Sequence, residues 1–187
     1  MTELNATAHH TTAVALVEAA ALIIDTASNT LATRSVENGR ISVDLLDRQQ
    51  IAAYDLAHAA SAVAGSQVML EYALHGEFEA RLSFAYIADV IADLESRIFG
   101  RQDSWGVDAV VLAPFTEFVS LFRSPEFLEL LADDVMKKGT GPAHLDDEFD
   151  LVRDTFHRFA QDKIRPVAEH IHRNNEDIPE SILQGMA

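Results

Sequence analysis

The feature that most constrains this chain is a hydrophobic repeat of three and four residues that runs through almost all of it. After Glu77, the residues Ala80, Phe84, Ile87, Ile91, Leu94 and Ile98 step by four and three, which puts them on one stripe of a helix. Arg81, Asp89, Asp93 and Arg97 fall mostly off that stripe. The preceding segment repeats the pattern with smaller side chains, through Leu56, Ala59, Val63, Ser66, Leu70 and Ala73. The first apolar segment does the same through Leu16, Ala20, Ile23, Ala27 and Leu31. No stretch alternates with period two between turn signals, so no strand is expected and the predicted fold class is all-α.

The breaks between helices are equally legible. Asn38-Gly39 lies in the stretch that closes the first helix, His75-Gly76 closes the second, and the stretch from Gly100 to Gly106 closes the third. Gly76 is a candidate for the left-handed position past a helix end. Pro114 marks either a kink or a helix start. Ser124-Pro125-Glu126 combines a capping hydroxyl, a proline at the first helical position and an early acid, a strong start signal. The first three helices are expected to run about 25 to 33 residues, or about 40 to 50 Å. Short connections between them make antiparallel neighbours, hence an up-down helical bundle.

Composition then changes. Lys137-Lys138-Gly139-Thr140-Gly141-Pro142 holds two glycines, a proline and no apolar side chain, as a linker does. The expected division is a bundle over 1–136, a linker over 137–144 and a second helical unit over 145–187. In that unit Leu145, Phe149, Val152, Phe156 and Phe159 again step by four and three, behind the acids Asp146-Asp147-Glu148, which favour a helix N-terminus. Pro166 interrupts the pattern, Val167 and Ile171 resume it on a shifted face, and a further helix starts near Ile178-Pro179-Glu180.

The run Leu145-Asp146-Asp147-Glu148-Phe149-Asp150-Leu151-Val152-Arg153, then Phe159-Ala160 and Ile164-Arg165-Pro166, resembles the opening helix pair of the acyl-CoA dehydrogenase family. That family begins with an acidic turn, a leucine-valine-arginine step, a phenylalanine-alanine pair and then a proline. Asn174 to Gly185 is similar to its next helix. Asp44-Leu45-Leu46-Asp47-Arg48-Gln49-Gln50 through Ala57 resembles an extra N-terminal helical bundle of some long members. The resemblance implies that a complete relative would oxidise an acyl-CoA at its α,β carbons with FAD as acceptor. It also implies that this chain carries no strand domain, no catalytic carboxylate and no flavin-contacting residue, so that FAD and acyl-CoA would be bound only in a complete enzyme. Catalytic, cofactor-binding and metal residues are each expected to be none. The expected role is the N-terminal portion of such a flavoprotein, inactive alone. The alternative is a non-catalytic helical interaction or oligomerisation module.

Other chemistry finds little footing in the sequence. The chain has no cysteine, which removes disulfides, thiolate ligands and cysteine nucleophiles. Three carboxylate-x-x-His pairs, Asp55/His58, Asp154/His157 and Glu169/His172, have the spacing used by di-iron bundles. Asp154/His157 and Glu169/His172 fall in polar surroundings. Asp55/His58 is the pair that could face inward, beside Ile51, Tyr54 and Ala62. Gly65 is expected to be a close-packing position and His9-His10 an unstructured tail. Phe127, Leu128 and Leu131 form an ordinary apolar helix face.

Charge narrows the partners. With 14 basic and 30 acidic residues the chain carries a net −16, which repels phosphate backbones and anionic bilayers, so neither nucleic acid nor membrane is an expected partner. Met1-Thr2-Glu3-Leu4 is acidic, unlike a targeting segment, and the apolar stretch from Ala13 to Ile24 is short for a membrane span and contains Glu18. A cytoplasmic location is expected. The sharpest physical expectation concerns the Leu145/Phe149/Val152/Phe156/Phe159 face. Five such side chains left in water forgo roughly 10 kcal/mol, at about 2 kcal/mol each. Self-association, or a complementary polypeptide, is expected to cover it.

Overall fold

A computed structural model describes residues 6–186; the acidic start Met1-Thr2-Glu3-Leu4 lies outside the described residues. The fold is all-α. It divides into two compact units, Met1–Gly141 and Pro142–Ala187.

The first unit is built on three long helices, α1 (Ala6–Arg34), α3 (Gln50–Tyr72) and α4 (Glu77–Ile98). Named contacts fix their directions. His10 near the start of α1 reaches the carbonyl of Leu70 at the end of α3 (3.0 Å), and the neighbouring His9 ring meets Phe84 in the first half of α4. At the other end, Arg34 closes α1 on Asp103, and Asp55 at the start of α3 meets Arg97 and Arg101 at the end of α4. Thus α3 runs antiparallel to both neighbours, and α1 parallel to α4. The predicted stripes are the buried ones: Leu16, Ala20, Ile23 and Ala27 of α1, Leu56, Ala59, Val63 and Ser66 of α3, and all six named residues of α4. Alanine, serine and glycine at the contact line let the axes approach. A side chain on Gly65 would put its Cβ 2.5 Å from the Tyr86 hydroxyl, so the close-packing assignment of that glycine holds.

By length and composition, α1 is the one described helix apolar enough to cross a bilayer. In this fold its apolar stripe packs against α3 and α4 instead.

The remaining elements close one end and one side. After α1, β1 (Val36–Glu37) pairs antiparallel with β2 (Arg40–Ile41), a two-rung hairpin where no strand is expected from the sequence. The cause is Asn38-Gly39: both take positive φ, 52° and 76°, as a tight hairpin turn requires. Helix α2 (Val43–Arg48) comes next and is separated from α3 at Gln49, so the expected second helix is two. Gly76 is not left-handed. Its φ of 172° is extended, and it forms the N-cap of α4, with a Glu79 carboxylate oxygen standing 2.6 Å from where a Cβ would lie. The acid three residues into the helix occupies the space over the cap, which glycine leaves free.

Beyond α4 come α5 (Gln102–Trp105), a 3₁₀ stretch (Ala109–Phe115), α6 (Thr116–Phe122) and α7 (Pro125–Lys138). Pro114 sits in the 3₁₀ stretch just before α6, which resolves its two readings in favour of a start. Ser124 caps α7 by accepting from the Phe127 N–H (3.2 Å). Phe84, Phe118, Phe122 and Phe127 form an aromatic knot with centroid distances of 4.5 to 6.2 Å. His9 stacks edge-on against Phe122 at 5.2 Å. His9-His10 is therefore part of α1 and not a loose tail: three tertiary contacts, to Leu70, Phe84 and Phe122, hold these residues. On the α7 face, Phe127 is buried, Leu131 half-buried and Leu128 exposed. Arg81 of α4 bridges Glu77 and Asp134, tying α7 to the bundle.

Candidate functional site

The second unit is short, amphipathic and open. Its first helix, α8 (Asp147–Phe159), is capped by Asp146, whose carboxylate accepts the Phe149 N–H at 3.0 Å. The chain then passes through a single π-helical turn (Ala160–Ile164) into α9 (Arg165–Asn174). This explains Pro166. It stands in the first turn of α9, where its missing N–H costs little, and the wider π turn absorbs its ring while rotating the apolar face beyond it. Asn175 ends α9 in the left-handed conformation, φ 51°. Helix α10 (Glu180–Met186) then turns back. It lies across the Phe159 ring at Gly185, where a Cβ would come within 2.7 Å of the ring.

The π turn, α9, the loop after it and α10 line a groove of about 430 Å³ floored by Ile164, Ala168, Ile171, Ile178 and Ile182. Ile182 is the one residue of the unit, among those described, that is buried. The face predicted on α8 is open in the single chain. Phe149 is 60% exposed, Phe156 58%, Val152 44% and Leu145 41%, while Phe159 is half-buried. Leu151, at 65%, adds to the apolar surface. Sequence reasoning misses the groove itself. Its signal is Ile178, Ile182 and Met186, which step by four from just before α10 to its end and all line the groove.

The carboxylate-x-x-His pairs do not converge. Asp55 lies at the α3/α4 junction in ion pairs with Arg97 (2.8 Å) and Arg101, and its neighbour His58 is exposed, stacked on the Tyr54 ring at 4.3 Å. Ile51 and Tyr54 are 67% and 65% exposed and His58 is exposed, so the inward reading is corrected for His58, while the Asp55 side chain, 14% exposed, is enclosed at the helix junction. The reason is Arg97 in the last turn of α4 and Arg101 just beyond it, which hold Asp55 at the helix junction. Asp154 pairs with Arg153 and Glu169 with Arg173, at solvent-exposed positions. His170 meets Glu176 at 3.3 Å. Among the described residues no three His, Asp or Glu side chains gather to hold a metal ion.

Ionisation follows the same pattern of surface pairing. Hydrogen bonding to Asp154 and the charge of Asp150 raise the Arg153 guanidinium further above its already high value. Asp93 does the same, chiefly by hydrogen bonding, for Arg97. Burial raises the Glu95 carboxyl, with no charge partner contributing. None of these groups lines the groove. A flavin adenine dinucleotide does not fit the groove as these residues build it: the polar rim is His172, Asn175 and Glu176, with no lysine or arginine to meet a diphosphate.

The fold and the site thus define an all-helical chain that presents an exposed apolar face on α8. No family model matches the sequence. The chain is 25% identical to the (2S)-methylsuccinyl-CoA dehydrogenase of Cereibacter sphaeroides across 88% of its own length and 33% of that protein's. It therefore spans about a third of that relative, and stands as a distant, partial relative of an acyl-CoA dehydrogenase.

Proposed function

We propose that this chain is the N-terminal helical portion of an acyl-CoA dehydrogenase-like flavoprotein of the cytoplasm, inactive alone. The observation that carries this reading is the extent of the alignment: it takes in 88% of this chain and a third of a dehydrogenase. The open α8 face supports it. Phe149, Val152 and Phe156 on one stripe are the surface a helix shows when its partner is further protein. In this reading the FAD-dependent oxidation of the acyl-CoA belongs to the assembled enzyme, and the present residues contribute wall and support. The complementary polypeptide covers Leu145, Phe149, Val152, Phe156 and Phe159.

The test is purification of the chain alone and with a polypeptide supplying the strand and last helical domains of a dehydrogenase of this kind. Alone, the chain is expected to be colourless and without acyl-CoA oxidation. Mixed, it is expected to form a complex that Phe149→Glu with Phe156→Glu abolishes. A yellow, active chain by itself overturns the reading. A chain that binds no such polypeptide favours the alternative, a helical interaction module.

A further inference from the structure

We infer that the outward face of α3 is a self-association surface whose occupant is the same face of a second copy. This goes beyond the reading above and does not rest on it, because it concerns the other unit and other residues.

Helix α3 lacks a charged face. One side carries Leu56, Ala59, Val63 and Ser66 into the core. The other, at helical spacing, carries Ile51, Tyr54, His58, Ser61, Gly65 and Val68. Ile51, Tyr54 and Val68 are each about two-thirds exposed, at 67%, 65% and 65%, and His58 and Ser61 are exposed. Exposed Ala57 and Ala64 flank this line, so its ends are apolar and its middle is small and mildly polar. Tyr86 of α4, 39% exposed, widens the strip by laying its hydroxyl beside Gly65. A helix that shows water no charged face is ordinarily covered on that side as well.

Charge selects the occupant. The chain carries −16, so two copies repel wherever their acids meet. Over its 23 residues α3 holds only two acids, Asp55 and Glu71, and no lysine or arginine. Asp55 is neutralised by Arg97 and Arg101, and Glu71 lies beyond Val68 at the far end. This strip is therefore a place where a second copy can approach without bringing acid against acid.

Shape points the same way. The strip is large at both ends, with Tyr86 covering Gly65, and small at Ser61. A two-fold axis crossing α3 between His58 and Ser61 sets Ile51 against the partner's Val68, and Tyr54 against the Tyr86 ring that covers the partner's Gly65. The same axis sets His58 against the partner's Ser61, so the two polar side chains at the middle meet each other, hydroxyl to imidazole, rather than an apolar wall. Each contact then occurs twice, as an isologous interface requires. The strip runs about 26 Å along the helix at 1.5 Å per residue. With two tyrosines, an isoleucine and a valine it buries on the order of 500 Å² per copy, which meets the roughly 1,000 Å² total that a specific but weak interface needs. The dimer is accordingly reversible and concentration-dependent.

Sedimentation equilibrium over a range of micromolar concentrations tests this directly. The weight-average mass is expected to rise from 20.6 kDa toward twice that value. Tyr54→Glu with Val68→Glu is expected to hold it at the monomer with unchanged helical circular dichroism, while Phe156→Glu leaves the rise intact. Because the chain has no cysteine, Ser61→Cys gives a single thiol at nearly constant side-chain size. A short bis-maleimide is expected to join two copies through it, and not through Met136→Cys on α7. A constant monomer mass, a rise that survives Tyr54→Glu with Val68→Glu, or a rise lost only in Phe156→Glu overturns the inference. Failure of the dehydrogenase reading would show in the complex formed through Phe149 and Phe156, and leaves this result untouched.

Discussion

At the scale of single residues, the informative positions are those where charge meets partial burial. Asp55 is 14% exposed at its side chain and serves two arginines, of which Arg97 is 22% and Arg101 50% exposed. Removing the acid leaves two cations facing each other with one of them largely enclosed, whereas removing Arg101 leaves a pair that still satisfies the acid. Asp55→Ala is expected to cost about 1–2 kcal/mol in urea unfolding and Arg101→Ala less than about 1 kcal/mol. Glu95 behaves in the opposite sense. Its carboxyl is raised by desolvation alone, so folding disfavours its ionised form. No penalty exists where the carboxyl is protonated in both folded and unfolded chains, and the penalty is complete above the raised folded-state value. Glu95→Gln should therefore raise the melting temperature at neutral pH. The gain should shrink as pH falls through the carboxylate range and vanish below the unfolded value; an equal gain at all pH values would show that packing is responsible.

At the scale of elements, the aromatic knot and the α8 face are opposites built from the same residue type. Phe84 is fully buried, within 6.3 Å centroid distance of His9, Phe118 and Phe122, and so touches α1 and α6 from α4. Phe84→Ala is expected to cost about 3–5 kcal/mol, since the rigid rings around it cannot collapse into the void. Phe156, exposed on α8, has no comparable enclosure in the single chain, and Phe156→Ala should change the unfolding free energy of the isolated chain by less than about 1 kcal/mol. A loss of several kcal/mol there would mean that the face is already covered in solution. The α7 start is a third, local case: Ser124→Ala removes the acceptor for the Phe127 N–H and should cost about 1 kcal/mol.

At the scale of the whole molecule, the chain is two helical units joined at a glycine-rich segment. Gly139 and Gly141 both take positive φ, 76° and 93°, and Gly141 lies against Tyr72 and Leu82, where a Cβ would come within 2.5 Å of the Tyr72 hydroxyl. The first unit thus extends to Gly141, and the second has its own small groove and, among its described residues, one buried side chain. Brief trypsin treatment is expected to cut first at or near Lys137 and Lys138, and the N-terminal piece should keep a cooperative melt at the original temperature. Loss of that melt would show that the two units fold as one.

The helical period and the stripes of α1, α3, α4 and α8 are legible in the sequence because they are properties of neighbours three and four residues apart. So are the Ser124 cap and the packing at Gly65, each announced by residue type at a particular place. What only the tertiary structure decides depends on groups 42 to 60 residues apart in the chain: Asp55 held by Arg97 and Arg101, and His10 bonded to Leu70, extending α1 over residues that resemble a tail in the sequence. Periodicity names the Leu56/Ala59/Val63 stripe of α3. Which helices cover that stripe, and that Arg97 and Arg101 hold Asp55 beside it, is decided by the tertiary structure, because those groups are far apart in the chain.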